Sequence, residues 1–290
     1  MSSSLFHLFL FIIATFSISS SSILVLLSGA SAIACAFWRL LISTFMLFLF
    51  SEFFKVKIKL GNVRHLILFI ISGMTLGIHF VLWMDSLFRV PVAISTTIVV
   101  AYPIHALLIE HLLLKEKIKK VKIFGLTLGF IGILIYFHDS IILKILDPIG
   151  VLESFIASLL AAIYFYVGSI ARKVLDIYSY TIPTYLFGSI TVLFYSYLAN
   201  DNILSYPLTS WLWFMALALI PMIGGHTVMN YLLKYYRSST VTSIAFLEPI
   251  GASVLAYVIL GQLPKIEHLL VVPLILFGVL LTILSEEGPS

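Results

Sequence analysis

Charge is what this chain lacks most. Only 10% of its 290 residues are Asp, Glu, Lys or Arg, while 61% are hydrophobic; ordinary soluble domains carry roughly 25% charged residues. That leaves too little polar surface to cover a soluble globule, so a soluble fold is excluded. Cysteine is nearly absent as well. Cys35 stands in an apolar run with no second cysteine, which rules out an internal disulfide framework. The sequence has no glycine-rich phosphate loop, no His/Cys/Glu cluster at metal-ligand spacing and no nucleophile elbow. No cofactor, no metal and no catalytic residue is expected. A formal net charge of +4 does not point to nucleic acid, because the basic residues sit in short clusters between long apolar runs.

What is present is hydrophobic length. A spanning helix needs about 20 mostly apolar residues, and that rule yields ten segments: 5–27, 30–50, 65–84, 90–114, 121–137, 149–170, 180–198, 211–233, 240–260 and 269–284. The first faintly resembles a secretory signal, with small residues at Gly29–Ala32. It lacks a preceding Lys or Arg and runs long for such a signal, so it is read as a membrane span. Assigning alternate connections to opposite sides puts thirteen Lys and Arg residues on one side and three (Arg89, Lys144, Lys265) on the other. By the positive-inside rule this supports ten spans with both termini cytoplasmic in the cell membrane.

The chain also resembles itself. Gly77–Pro103 carries His79 and Trp83 on one apolar helix, a polar turn, and a second helix broken by Pro103. Gly224–Pro249 carries His226 and Asn230, a basic turn, and a helix broken by Pro249. After each proline 29 residues lead to a further helical glycine, Gly132 and Gly278. Ten spans divided in two leave five per half, an odd number, so the second half starts on the opposite face. The expected fold is therefore an all-α polytopic membrane protein of two five-helix inverted-topology repeats, residues 1–140 and 141–290. Sites in such folds lie near the midplane at the interface of the repeats.

The candidate site residues are the polar groups that lipid would reject. Arg39 lies well inside a span, where a charge costs a few kcal/mol and should face a cavity or partner. It can anchor a carboxylate or bond structural carbonyls. His79 with Trp83 and His226 with Asn230 lie four apart on matching helix faces and are expected to line a common space; each histidine also suits a plain interhelical bond. Tyr102-Pro103 and Glu248-Pro249 occupy matching places. Each proline removes a donor and displaces the carbonyl four residues earlier, on Val99 and Ala245, making kinks suited to gating. The hydroxyls of Ser17 and Ser19–Ser22 can bond helical carbonyls or line a pathway. Asp85, Arg89 and Glu116 mark helix ends, as solvated charges or gate-forming salt bridges. Gly125-x-x-x-Gly129 followed by Gly132 suits close helix approach, within the bundle or at a homodimer contact.

Ten helices in two inverted repeats, Arg39 in the second, Pro103 in the fourth and Glu248-Pro249 in the ninth resemble the EamA family of the drug/metabolite transporter superfamily. The resemblance covers nearly the whole chain. Trp38-Arg39, Tyr102-Pro103 and Glu248-Pro249 match family motif positions, whereas His79 and His226 come from the internal repeat. The family's Gly-Glu after the fourth and ninth helices reads Lys115-Glu116 and Gly261-Gln262 here, each keeping one of the two residues. The resemblance implies a secondary transporter without ATPase machinery, exporting a small metabolite such as an amino acid by alternating access around a central cavity. The expected partners are a small-molecule substrate and the lipid bilayer. Two rival classes remain: a non-transporting structural membrane subunit, and an intramembrane enzyme using His79, His226 and Glu248.

Overall fold

The computed structural model describes residues 3–114, 118–136, 138, 147–260 and 266–286. Every regular element among them is helical. Lys115-Glu116, Gly261-Gln262, Lys144, Lys265 and the expected boundary at 140/141 lie outside the described residues.

Helices α1 (Ser3–Ser19) and α2 (Ser21–Leu27) form one rod interrupted at Ser20. Then follow α3 (Ala32–Phe53), α4 (Val63–Arg89), α5 (Val92–Val99), α6 (Tyr102–Leu114) and α7 (Lys120–Tyr136). After the undescribed stretch come α8 (Pro148–Ala171), α9 (Ile177–Ala199) and α10 (Leu208–Leu217). The chain continues through a π-helical segment, Ala218–Thr227, into α11 (Val228–Leu232), then α12 (Ser238–Thr242) and a 3₁₀ segment, Ser243–Leu247. The last two helices are α13 (Glu248–Leu260) and α14 (Ile266–Leu284). Among the described residues, seven helical stretches are long and apolar enough to cross a membrane: Leu5–Leu27, Ala32–Phe53, Val63–Arg89, Val92–Leu113, Pro148–Ala171, Ile177–Ala199 and Leu208–Leu232.

Local chemistry sets the starts of several rods. Asn62, Asp147 and Asp176 stand just outside helix starts in extended conformation, and each side chain accepts a backbone N–H of the first turn. Pro148 follows in the first turn, where its missing donor costs nothing. The third apolar run extends past Met84 to Arg89, because Asp85 and Arg89 pair one turn apart and the helix stops only before Pro91. Asn200 ends α9 in the left-handed conformation, φ 54°.

Packing joins elements far apart in sequence. α4 lies against α8 and α9, α3 against α9, α7 against α14, and α1 against the π segment. The glycines of α7 serve the bundle: a Cβ at Gly125 would meet the Gly278 carbonyl at 2.8 Å, and one at Gly278 would meet the Gly129 nitrogen at 2.6 Å. Backbones this close need glycine on both helices. Large apolar side chains such as Phe16, Phe45, Leu112, Phe194 and Leu212 face outward, as expected of a lipid-facing surface.

Candidate functional site

The π segment contains Pro221. Proline has no N–H and its ring displaces a carbonyl of the preceding turn; α9 at Pro183 and α14 at Pro273 absorb this as α-helix, whereas this segment does not. The chain widens to π-type turns, often found at functional positions. Thr227 Oγ1 donates to the Met222 carbonyl at 3.2 Å, serving an acceptor five residues back. His226 lies at the inner end of this segment. Around Pro249 the backbone tightens instead. Ser243–Leu247 is 3₁₀, and the Glu248 N–H bonds Ala245 O, so the displaced carbonyl is served by the tighter turn. Around Pro103 the helix breaks between Val99 and Tyr102. The α-helical path is thus interrupted before each of the two prolines, in different geometry.

These distortions converge on one small pocket of about 20 Å³, the volume of roughly one water. His79, Trp83, Tyr102, His226 and Glu248 all line it, with Ser21, Phe80 and Phe165. The rings of His79 and Trp83 are nearly parallel, 5° apart, with centroids at 6.3 Å. His79 Nδ1 lies 2.8 Å from Ala157 O. A carbonyl only accepts, so Nδ1 carries the hydrogen and Nε2 of a neutral ring is left as an acceptor. His226 sits edge-on to Phe80 at 5.1 Å and stacks with Phe165 at 5.7 Å. Tyr102 stacks on the other neighbour of that layer, Phe165, at 5.8 Å.

Arg39 is 1% exposed. Its guanidinium stacks 4.0 Å over the Phe80 ring, and Nη1 donates to Ser21 Oγ at 2.8 Å. The positive charge is within electrostatic reach of Glu248, itself 7% exposed. A buried cation held by a hydroxyl and a π face is not fully compensated. Arg39 Nε, Trp83 Nε1 and His226 Nδ1 have no hydrogen-bond partner among the described residues. Buried polar groups are normally bonded, so two orphaned nitrogens in the pocket lining, Trp83 Nε1 and His226 Nδ1, with a third on Arg39 behind it, mark the site as unusual.

Three expected members do not line the pocket: Arg39 stands behind Ser21 and Phe80, and Trp38 and Asn230 lie elsewhere. Trp38 does not line the pocket. One residue before Arg39, it points about 100° around the helix, its indole donating to Ile203 O at 2.7 Å and packing on Trp211 at 4.4 Å. Asn230 also stays out of the pocket. Its side-chain NH2 donates to Tyr164 Oη at 2.5 Å and to His226 O at 2.7 Å, and its backbone carbonyl accepts from Arg172 Nε at 3.0 Å. An amide at membrane depth spends its donors on neighbours, and the π segment disturbs the four-residue register with His226.

The serine run divides its roles: Ser19 and Ser20 bond helical carbonyls, while Ser21 holds Arg39. Arg89 pairs with Asp85 at 2.5 Å, Glu153 at 3.1 Å and Asp147 at 3.7 Å, tying the end of α4 to the start of α8. Ser21, Phe80 and Phe165 were not singled out from sequence. Phe80 and Phe165 carried no signal among many apolar neighbours; Ser21 carried one only as a member of its run.

Helices of membrane-spanning length around a polar, partly unsatisfied interior define a polytopic membrane protein of transporter type. The EamA-like transporter family matches residues 5–137 and again 148–284, and the chain belongs to that family. An uncharacterized transporter of Archaeoglobus fulgidus is 24% identical over 190 residues, 66% of this chain and 66% of that protein. The matched stretch thus spans slightly under two thirds of that relative. A solved crystal structure superposes with a TM-score of 0.79 over 95% of this chain and 96% of its own, at 14% identity, a likeness of fold alone.

Proposed function

We propose that this protein is a secondary transporter that moves a small metabolite, such as an amino acid, outward across the cell membrane by alternating access around the central pocket. The observation that carries this reading is the convergence of His79, Trp83, Tyr102, His226 and Glu248 on one buried space, with Arg39 held directly behind its Ser21 and Phe80 walls. Donors from Arg39 and Trp83 suit a carboxylate, and Glu248 suits an ammonium group. At about 20 Å³ the pocket is far below the 300–1,000 Å³ of ligand-binding sites, so this conformation is occluded and must widen to admit substrate. Pro103, Pro249 and the π segment supply the flexing points. The family's role implies a small-molecule substrate and a lipid bilayer; the outward direction and the cytoplasmic placement of both termini rest on family resemblance and on the charge asymmetry of the connections.

Two five-helix inverted repeats account for the packing. If the first rod corresponds to α8 and α4 to the π-containing rod, a two-fold axis exchanges the contact of α1 with the π segment for that of α4 with α8. The contacts of α3 with α9 and of α7 with α14 then fall on the axis. The two stretches matched by the family support the same division. Purified protein in liposomes, screened against amino acids and related metabolites, tests the function. Uptake or efflux of at least one, slowed by Glu248→Gln or His226→Ala, is the expected result. An identified substrate whose transport neither change alters sinks the site.

A further inference from the structure

A second and much larger pocket, about 410 Å³, opens among the basic ends of the helices, and neither the repeat nor the central site explains it. Its walls carry Lys119, Lys122, Lys173, Lys234 and Arg237. Among the described residues two carboxylates share it, Glu110 and Glu286, so the described lining carries a formal excess of three positive charges. Both carboxylates are committed to the scaffold. Glu110, buried in α6, accepts from Ser238 Oγ at 2.7 Å, Ser239 N at 2.9 Å and Ser239 Oγ at 2.5 Å. Glu286 accepts from Lys122 Nζ at 2.8 Å, Thr240 Oγ1 at 2.7 Å and the Arg237 N–H at 3.0 Å. Lys122, itself buried, is the cation these carboxylates neutralise. Lys173 and Lys234, exposed at the rim, add positive charge to the space.

We propose that this pocket binds a phosphate-bearing anion. Its volume lies in the range of small-molecule sites. Four of its five cations are lysines, compact point charges suited to phosphate, and an excess of three charges suits a multiply charged anion better than one carboxylate. Tyr235 lines the same space, whereas the hydroxyls of Ser169 and Ser285 donate to the carbonyls of Tyr166 and Thr282. Free phosphorylated solutes and anionic lipid headgroups share this chemistry, and basic pockets between membrane helices take such headgroups. The site stands whether or not the central pocket carries substrate. It is nevertheless reached along the same helices, since Leu107, Ser169 and Leu233 lie four to seven residues beyond Tyr102, Phe165 and His226, about 6–10 Å at 1.5 Å per residue.

The test uses the full chain, delipidated in neutral detergent, with radiolabelled inorganic phosphate as one probe and nanodiscs of phosphatidylcholine with or without phosphatidylglycerol as the other. Binding of phosphate in detergent assigns the site to a soluble anion. Retention of phosphatidylglycerol by native mass spectrometry, without phosphate binding, assigns it to lipid headgroups. Either result requires that the doubly substituted Lys173→Gln/Lys234→Gln protein bind more weakly, by roughly fivefold per lysine, and that added salt weaken the wild type. Both lysines are exposed, so the variant's melting temperature without ligand should match the wild type. Failure of both probes to bind, or unchanged binding by the variant, overturns the proposal.

Discussion

The stretches Gly77–Pro103 and Gly224–Pro249 share a sequence pattern and differ in backbone. The first lies on an unbroken α-helix through His79 and Trp83, and its irregularity is confined to the gap between Val99 and Tyr102. The second carries ten residues of π-helix before and through His226, and five of 3₁₀ before Glu248. Counting back from the matched Gly77 and Gly224, Met74 in one stretch stands where Pro221 stands in the other. The added proline coincides with the wider turns, while the shared polar residues do not distinguish the two stretches. The hydrogen bonding follows suit. His79 is tied to Ala157, whereas His226 Nδ1 has no partner among the described residues. The regular stretch offers a fixed aromatic wall, and the irregular one offers the less constrained polar groups.

The largest expected effect comes from the group that links both stretches electrostatically. Arg39 stacks on Phe80 of the first and its charge reaches Glu248 of the second without an ion pair. Arg39→Met should remove the donor to Ser21, the stack on Phe80 and the charge acting on Glu248, and destabilise the protein by about 3 kcal/mol, seen as a lower melting temperature in detergent. A variant as stable as wild type would mean the two walls are held independently.

Next is the contrast between Glu248 and Tyr102, which occupy matching places before their prolines. Glu248→Gln should cut transport of an identified substrate by roughly a hundredfold, the loss of one charge-assisted interaction of about 2.7 kcal/mol. Tyr102→Phe, which keeps the stack on Phe165, should stay within about threefold. Equal losses would erase the distinction between a polar and an aromatic wall.

Pro221→Ala tests the cause directly. It restores an N–H and removes the ring clash, so the 218–227 segment should shift toward α-helical bonding and its amides should exchange more slowly. His226 would turn with it, and substrate binding should weaken by roughly tenfold, or about 1.4 kcal/mol. Unchanged amide exchange would show that packing against Ser17 and Ile18, not the proline, holds the π form.

The smallest effect sharpens the two histidines. His79→Ala removes a bond to Ala157 O and should cost about 1 kcal/mol beyond the lost packing. For His226→Ala there is no such bond at Nδ1 to lose, so more of its effect should fall on transport than on stability. Denaturation and transport assays on the pair separate the two. The reverse ranking would overturn the reading of His226.

Much was legible in the sequence because membrane burial is a local, one-dimensional demand. Apolar length located the rods to within a few residues, and the exceptions followed nearby chemistry, as where Asp85, Arg89 and Pro91 carry α4 beyond Met84. Arg39, Glu248 and the histidines were visible because lipid makes every polar residue conspicuous. Glu110 carried the same signal within Leu107–Leu114, although nothing in its neighbourhood pointed to Ser238 and Ser239, more than a hundred residues away. Trp38 and Asn230 show the limit. Sequence spacing put them beside the site, while the direction of one side chain and the hydrogen bonds of the other placed them outside the pocket. Composition and spacing determined that the chain would be helical, membrane-spanning and polar at a few buried points. Which of those points meet, and that Ser21, Phe80 and Phe165 complete their pocket, was decided only by tertiary packing. Contacts between distant helices depend on how curved and distorted rods fit together, and no local pattern encodes that fit.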